Sequence, residues 1–268
     1  NEGRLAAGQI VAFLSYFAII QTATLGLAKL FVKLSKGAAS AKRIEEILLA
    51  PEGQPVRPSA ASGPDLGMED VSFSYQGMEK DLDGISFSLN KGETLGVLGP
   101  TGAGKSTLIA LLLRLYDAGE GVVWVGGRDA ASLERRELQG RFGVVFQNEA
   151  LLNATIYENI AFLRDISREE AIAAAKTAQL WDFLESLPEG LDSRVDIRGA
   201  NLSGGQRQRL LIARALAGRP GILILDSAES ALDYRTAANL RAALRRDHSG
   251  VTTVLVSERI ASLRDADR

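Results

Sequence analysis

The residues with the plainest chemistry are Gly99-Pro100-Thr101-Gly102-Ala103-Gly104-Lys105-Ser106-Thr107, in which Gly99 to Ser106 fits the spacing G-x-x-x-x-G-K-[ST]. Glycines at these places let successive backbone N–H groups turn inward around a phosphate. Lys105 then reaches β- and γ-phosphate oxygens, and the Ser106 hydroxyl is placed to ligand Mg²⁺. A second stretch of similar chemistry, Leu202-Ser203-Gly204-Gly205-Gln206, comes later and is followed by Arg207, Arg209 and Arg214. A small hydroxyl and two glycines at a helix N-terminus also bind anions. One chain has no obvious use for two γ-phosphate cradles. The economical arrangement is a dimer, each nucleotide lying between the first element of one chain and the second element of the other.

These residues need elements to hold them. Thr94–Leu98 reads as a short buried strand, and Thr107–Leu115 (TLIALLLRL) as an apolar helix, the strand–loop–helix context the first motif requires. Upstream, Val71, Phe73 and Tyr75 alternate with polar residues, as do Ile85, Phe87 and Leu89, which predicts two antiparallel strands. Downstream, strands are expected at Val122–Val125, Phe142–Phe146, Gly221–Leu225 and Val251–Val256, with a largely helical region over 154–217 and a helix over Tyr234–Arg245. Strands alternating with helices imply an α/β fold with a mainly parallel sheet.

Composition narrows the classes. The chain has 268 residues, 46% of them apolar and 24% charged, and a formal charge of −2. That balance provides no whole-chain basic field, so nucleic acid is not expected as a partner. With no cysteine, disulfides, thiolate metal sites and cysteine nucleophiles are excluded. From Leu5 to Ala28 there are 24 residues without a charge, including the strongly apolar Ile10–Ile20. About 20 such residues span a bilayer core as a helix. The helical spacing continues to Leu49 among Lys33, Lys36, Lys42, Arg43, Glu45 and Glu46, so this helix is expected to leave the membrane and run on into water. Its basic residues lie where a cytoplasmic exit should carry them. Pro51, Pro55, Pro58 and Pro64 then mark a linker. The expected division is a membrane helix with its extension into water over 1–50, a linker over 51–65, and a soluble domain over 66–268. The missing initiator Met and the end at Arg268, soon after an apolar strand, read as a fragment cut at both ends.

Taken together, Gly99–Thr107, the LSGGQ stretch and their spacing resemble the nucleotide-binding domain of ABC transporters, of the exporter type in which membrane helices precede that domain. The resemblance covers essentially the whole chain. It implies a P-loop ATPase fold of ABC type over 66–268, the nucleotide-binding domain, with a small antiparallel β subdomain and a helical subdomain near 148–218 beside the parallel core, and it makes 1–50 the last membrane helix with its cytoplasmic extension. It implies ATP and Mg²⁺ as ligands, a membrane location with the nucleotide-binding domain on the cytoplasmic side, and a second half-transporter as partner. Residue by residue, it makes Tyr75 the aromatic that stacks on adenine and Gln147 the residue linking Mg²⁺ and the attacking water to the membrane domain. It makes Asp226 the Mg²⁺-supporting carboxylate, Ser203, Gly204, Gly205 and Gln206 the surface offered to the partner's nucleotide, and Ser230 to Asp233 the loop that meets the partner.

Two positions depart from that pattern. After Asp226 the family normally has a glutamate that polarises water, and here stands Ser227. A neutral hydroxyl cannot take up a proton as a carboxylate does, and general-base help is worth roughly 10²–10⁴ in rate. At Glu258 the family usually has a histidine that contacts the γ-phosphate. A carboxylate there must swing away, bind a cation, stay protonated, or take over the base role lost at 227; Glu229 is a weaker candidate for that role. His248 lies in the turn before the last strand and cannot substitute. The expected protein is the hydrolysis-impaired half of a heterodimeric exporter. Slow turnover by a homodimer, a soluble ABC-type ATPase acting on nucleic acid or the ribosome, and a nucleotide-sensing subunit are the alternatives; the uncharged N-terminal stretch opposes the soluble ATPase.

Overall fold

The computed structural model describes residues 7–49, 56–59, 62–77 and 79–268, and the chain divides into two units, Asn1–Gly53 and Gln54–Arg268. The first unit contains helix α1, Ala7–Leu48, of 42 residues. At 1.5 Å per residue it is about 63 Å long, roughly twice the hydrocarbon thickness of a bilayer. The helix is long and apolar enough to cross a membrane, and Phe13, Phe17, Ile19 and Ile20 are all exposed. Three hydroxyls of its apolar half are satisfied internally: Ser15, Thr22 and Thr24 donate to the carbonyls of Val11, Ala18 and Ile20, one turn back. That removes the cost of unpaired donors in an apolar surrounding.

In the second unit the order is β1 (Leu66–Phe73), β2 (Leu82–Leu89), β3 (Thr94–Leu98), α2 (Lys105–Leu112), β4 (Glu120–Val125), β5 (Arg128–Asp129), α3 (Arg135–Gly140), β6 (Phe142–Val145), α4 (Ile156–Ala161), α5 (Arg168–Thr177), α6 (Trp181–Glu185), α7 (Gly204–Ala217), β7 (Ile222–Asp226), α8 (Tyr234–Asp247), β8 (Thr252–Ser257) and α9 (Ile260–Leu263). One sheet is antiparallel in the order β2-β1-β4-β5, and the other is parallel in the order β3-β8-β7-β6. The parallel register sets Leu98 beside Ser257, Asp226 beside Val256 and Val145 beside Leu225. All of its carboxyl ends therefore lie along one edge, where α/β sheets bind ligands. β7 is buried throughout, as a strand covered on both faces must be.

Two apolar cores hold these layers. One joins β1, β2, β3, α2 and β4 to the inner faces of β7 and β8, through Leu66, Val71, Ile109, Leu112, Val125, Ile224 and Val254. The other packs α4, α5 and α7 on β6 and β7, through Ile156, Ile160, Ala175, Leu211, Ile212 and Leu223.

Boundaries shift from the sequence expectations for local reasons. α2 ends at Leu112, three residues short of the expected Leu115. Arg114 takes φ +49°, and its buried guanidinium turns back to Asp117, Ala130 O and Leu133 O. β1 stops at Phe73, and Tyr75 lies beyond it, with its N–H donating to Asp81 Oδ2 at 3.0 Å. Part of the expected linker, at 51–55, 60 and 61, lies outside the described residues. Its described part is tied down: Arg57 N donates to Ala131 O at 2.8 Å and Gly63 N to Gly127 O at 3.0 Å.

Candidate nucleotide site

The Gly99–Ser106 loop leaves β3 and enters α2, whose N-cap is Gly104 at φ 82°. A Cβ on Gly104 would stand 2.7 Å from Leu82 Cδ2 and 3.0 Å from Asp81 O, so both the conformation and the space demand glycine. Gly102 has φ +86° with open space around it, which leaves room for a ligand to approach the backbone. Thr107 is buried behind the loop, while Thr101, Gly102, Ala103 and Ser106 are exposed. Lys105 Nζ donates to Gly99 O at 2.8 Å and Pro100 O at 2.7 Å, so the ammonium is folded over the loop it belongs to. The α2 N-terminus adds its partial positive charge at the same place.

Along the sheet edge, Ser257 closes β8 and Glu258 follows it, Asp226 closes β7, and Gln147 follows β6, so the sequence-predicted polar residues come to one line of strand ends. Burial raises the Asp226 carboxyl above the ordinary aspartate range, against the opposing pull of the Ser227 hydroxyl and of Lys105. Ser227 Oγ lies 3.4 Å from Asp226 Oδ1. Ser227 occupies the left-handed region at φ 54°, fixed by its N–H to Val256 O at 2.9 Å. Glu258 is exposed, and its Oε1 accepts from Thr101 Oγ1 at 3.2 Å.

Gln147 is exposed in a segment anchored from below. Arg214, buried on α7, donates to Glu149 Oε1 at 2.8 Å, Ala150 O at 3.1 Å and Asn159 Oδ1 at 2.9 Å. Tyr75 is half exposed and meets Phe73 edge to face at 4.9 Å and Tyr116 at 5.0 Å. Tyr116 was not singled out in the sequence; the only signal was an aromatic closing the apolar run of α2.

The second glycine element opens α7. Ser203 is its N-cap, accepting from Gln206 N at 3.3 Å, while Gln206 Oε1 accepts from Ser203 N at 2.8 Å. Ser203 and Gly204 are exposed, and Gly205 lies against Ala231 O, so this element and the Ser230–Asp233 loop share one surface. Glu229 is not a free carboxylate facing that loop's partner side. It is buried and paired with Arg241 of α8 at 2.5 Å, which removes it as a general-base candidate. His248 caps the C-terminus of α8 and belongs to no phosphate surface.

The donors that fit a divalent cation are the oxygens of Ser106, Asp226 and Gln147, hard ligands suited to Mg²⁺. Among the described residues no group of three or more His, Cys, Asp and Glu could hold a metal ion.

The chain is 36% identical over 270 residues to the fatty acid ABC transporter ATP-binding/permease protein of Mycobacterium bovis, covering 99% of this chain and 42% of that protein. It is 35% identical over 273 residues to the ATP-dependent lipid A-core flippase of Methylobacillus flagellatus, covering 99% of this chain and 46% of that protein. Among solved structures it matches a bacterial Atm1-family ABC exporter with ATP bound, at TM-score 0.77 and 35% identity, over 99% of this chain and 48% of that one. It thus spans less than half the length of these relatives. The profile described as ABC transporter matches residues 82–230, and on that match the chain belongs to the ABC transporter family.

Proposed function

We propose that this chain is the ATP-binding portion of an ABC exporter, with α1 as its last membrane helix and the unit from Gln54 as its cytoplasmic nucleotide-binding domain. The observation that carries this is the line of strand ends. Gly99–Ser106, Glu258, Asp226 and Gln147 emerge side by side from β3, β8, β7 and β6. Loop N–H groups, Lys105 and the α2 N-terminus hold the phosphates, and Tyr75 with Tyr116 offers an aromatic edge for the base. Ser106, Asp226 and Gln147 are the residues that would hold Mg²⁺, which would supply charge neutralisation for the phosphate oxygens. The matched relatives are named for cargoes as different as fatty acid and lipid A-core at nearly the same identity. We assign this portion the energising step they share.

Hydrolysis at this site is impaired in our reading. Ser227 stands on a backbone already fixed by Val256 and Ser230, so what is missing is a carboxylate rather than a framework. The LSGGQ surface has its capping box intact and faces outward, which suits it to a partner's nucleotide. That asymmetry favours the impaired half of a heterodimer. Equilibrium binding of Mg·ATP to the purified chain tests the site: we expect binding that Lys105→Ala weakens at least ~10-fold. Tight binding that survives Lys105→Ala would remove the assignment. Robust ATP turnover by the chain alone would instead favour a homodimer with an unorthodox base.

A further inference from the structure

Glu258 follows β8, the strand lying between β3 and β7, so it leaves the sheet edge between the phosphate loop and Asp226. Its carboxylate is seated on that loop through the 3.2 Å hydrogen bond from Thr101. The cation built into the loop is Lys105, whose ammonium donates to Gly99 O and Pro100 O and whose charge pulls on the Asp226 carboxyl. A diphosphate needs the loop N–H groups and Lys105. A triphosphate extends one more anionic group toward the mouth of the loop, where Glu258 stands.

Resting on the reading of Gly99–Ser106 as a nucleotide site, we propose that Glu258 is a specificity-determining residue that biases this site toward a nucleoside diphosphate over a triphosphate. The source of the bias is charge. Two like charges a few ångströms apart near a protein surface repel strongly enough to change a binding ratio by orders of magnitude. The hydrogen bond to Thr101 keeps the carboxylate at the loop rather than letting it rotate into solvent. Both sources of discrimination can be separated, because glutamine keeps an acceptor oxygen for Thr101 and loses only the charge.

The test measures dissociation constants of the full chain in detergent for Mg·ADP and for the Mg²⁺ complex of the non-hydrolysable β,γ-imido analogue of ATP. Wild type, Glu258→Gln and Lys105→Ala are compared. Because Glu258 is exposed, the glutamine variant is expected to keep the fold, which its far-ultraviolet circular dichroism spectrum and melting temperature check. The expected result is a rise of about 10- to 1,000-fold in the triphosphate-to-diphosphate affinity ratio of Glu258→Gln. A ratio that stays within about 2-fold of wild type, or a parallel gain for both nucleotides, overturns the proposal while leaving the nucleotide site standing. Failure of wild type to bind either nucleotide, or equal binding by Lys105→Ala, overturns both.

Discussion

Single residues decide what this site can do. Ser227 and Glu258 occupy the two places where a base and a γ-phosphate sensor are expected, and each has a defined backbone and defined partners in Val256 and Thr101. Restoring both, with Ser227→Glu and Glu258→His, is therefore expected to raise hydrolysis at this loop by about 10²-fold or more. Asp226 makes a pH prediction. Burial raises its folded-state pKa, so between the unfolded value near 3.9 and the raised value the folded state binds the extra proton. Stability falls as pH rises through that window and stays lower above it. Asp226→Asn should consequently raise the melting temperature at pH 7 and lose the gain below about pH 4, while weakening the Mg²⁺ dependence of nucleotide binding. The motif residues were legible in the sequence because their chemistry is local. The fate of Glu229 was not: its ion pair with Arg241 forms only when α8 folds against the loop before it. Tyr116 was hidden for the same reason, since its pairing with Tyr75 joins the segment after α2 to the segment after β1.

At the scale of elements, three helices of the region after β6 open with reciprocal capping boxes, Thr155 with Glu158, Ser167 with Glu170, and Ser203 with Gln206. These pairs were not singled out in the sequence, whereas strand periodicity placed the main strands. What periodicity could not place were the ends fixed by distant partners, such as the stop of α2 at Leu112, ahead of the buried Arg114. Arg214 illustrates the cost of such partners. Its guanidinium joins α7 to the segment that carries Gln147 and to Asn159. Arg214→Ala should destabilise the fold by about 3–5 kcal/mol, because Glu149 and Asn159 lose a buried partner; denaturant unfolding measures this. Ser203→Ala should cost only about 1 kcal/mol as a lost cap, yet remove the hydroxyl offered to a partner's nucleotide. The signature of that role is a loss of partner-site turnover larger than the small stability change.

For the whole molecule, the contrast lies between the two units. α1 is exposed over residues 8–48 and carries an apolar stretch long enough to cross a membrane, whereas the unit from Gln54 buries its own apolar residues in two cores. The full chain should accordingly sediment as aggregate without detergent, while residues 54–268 alone remain monodisperse in buffer; analytical ultracentrifugation distinguishes the two. The central claim is that this chain holds Mg·ATP at its own loop and scarcely hydrolyses it. The most direct measurement is single-turnover hydrolysis of γ-labelled ATP prebound to the purified full chain, comparing wild type with Ser227→Glu/Glu258→His. The account predicts slow release of label from wild type and release about 10²-fold faster from the double variant. Wild-type release at about 10 s⁻¹, an ordinary enzymatic rate, with no gain in the double variant would contradict it.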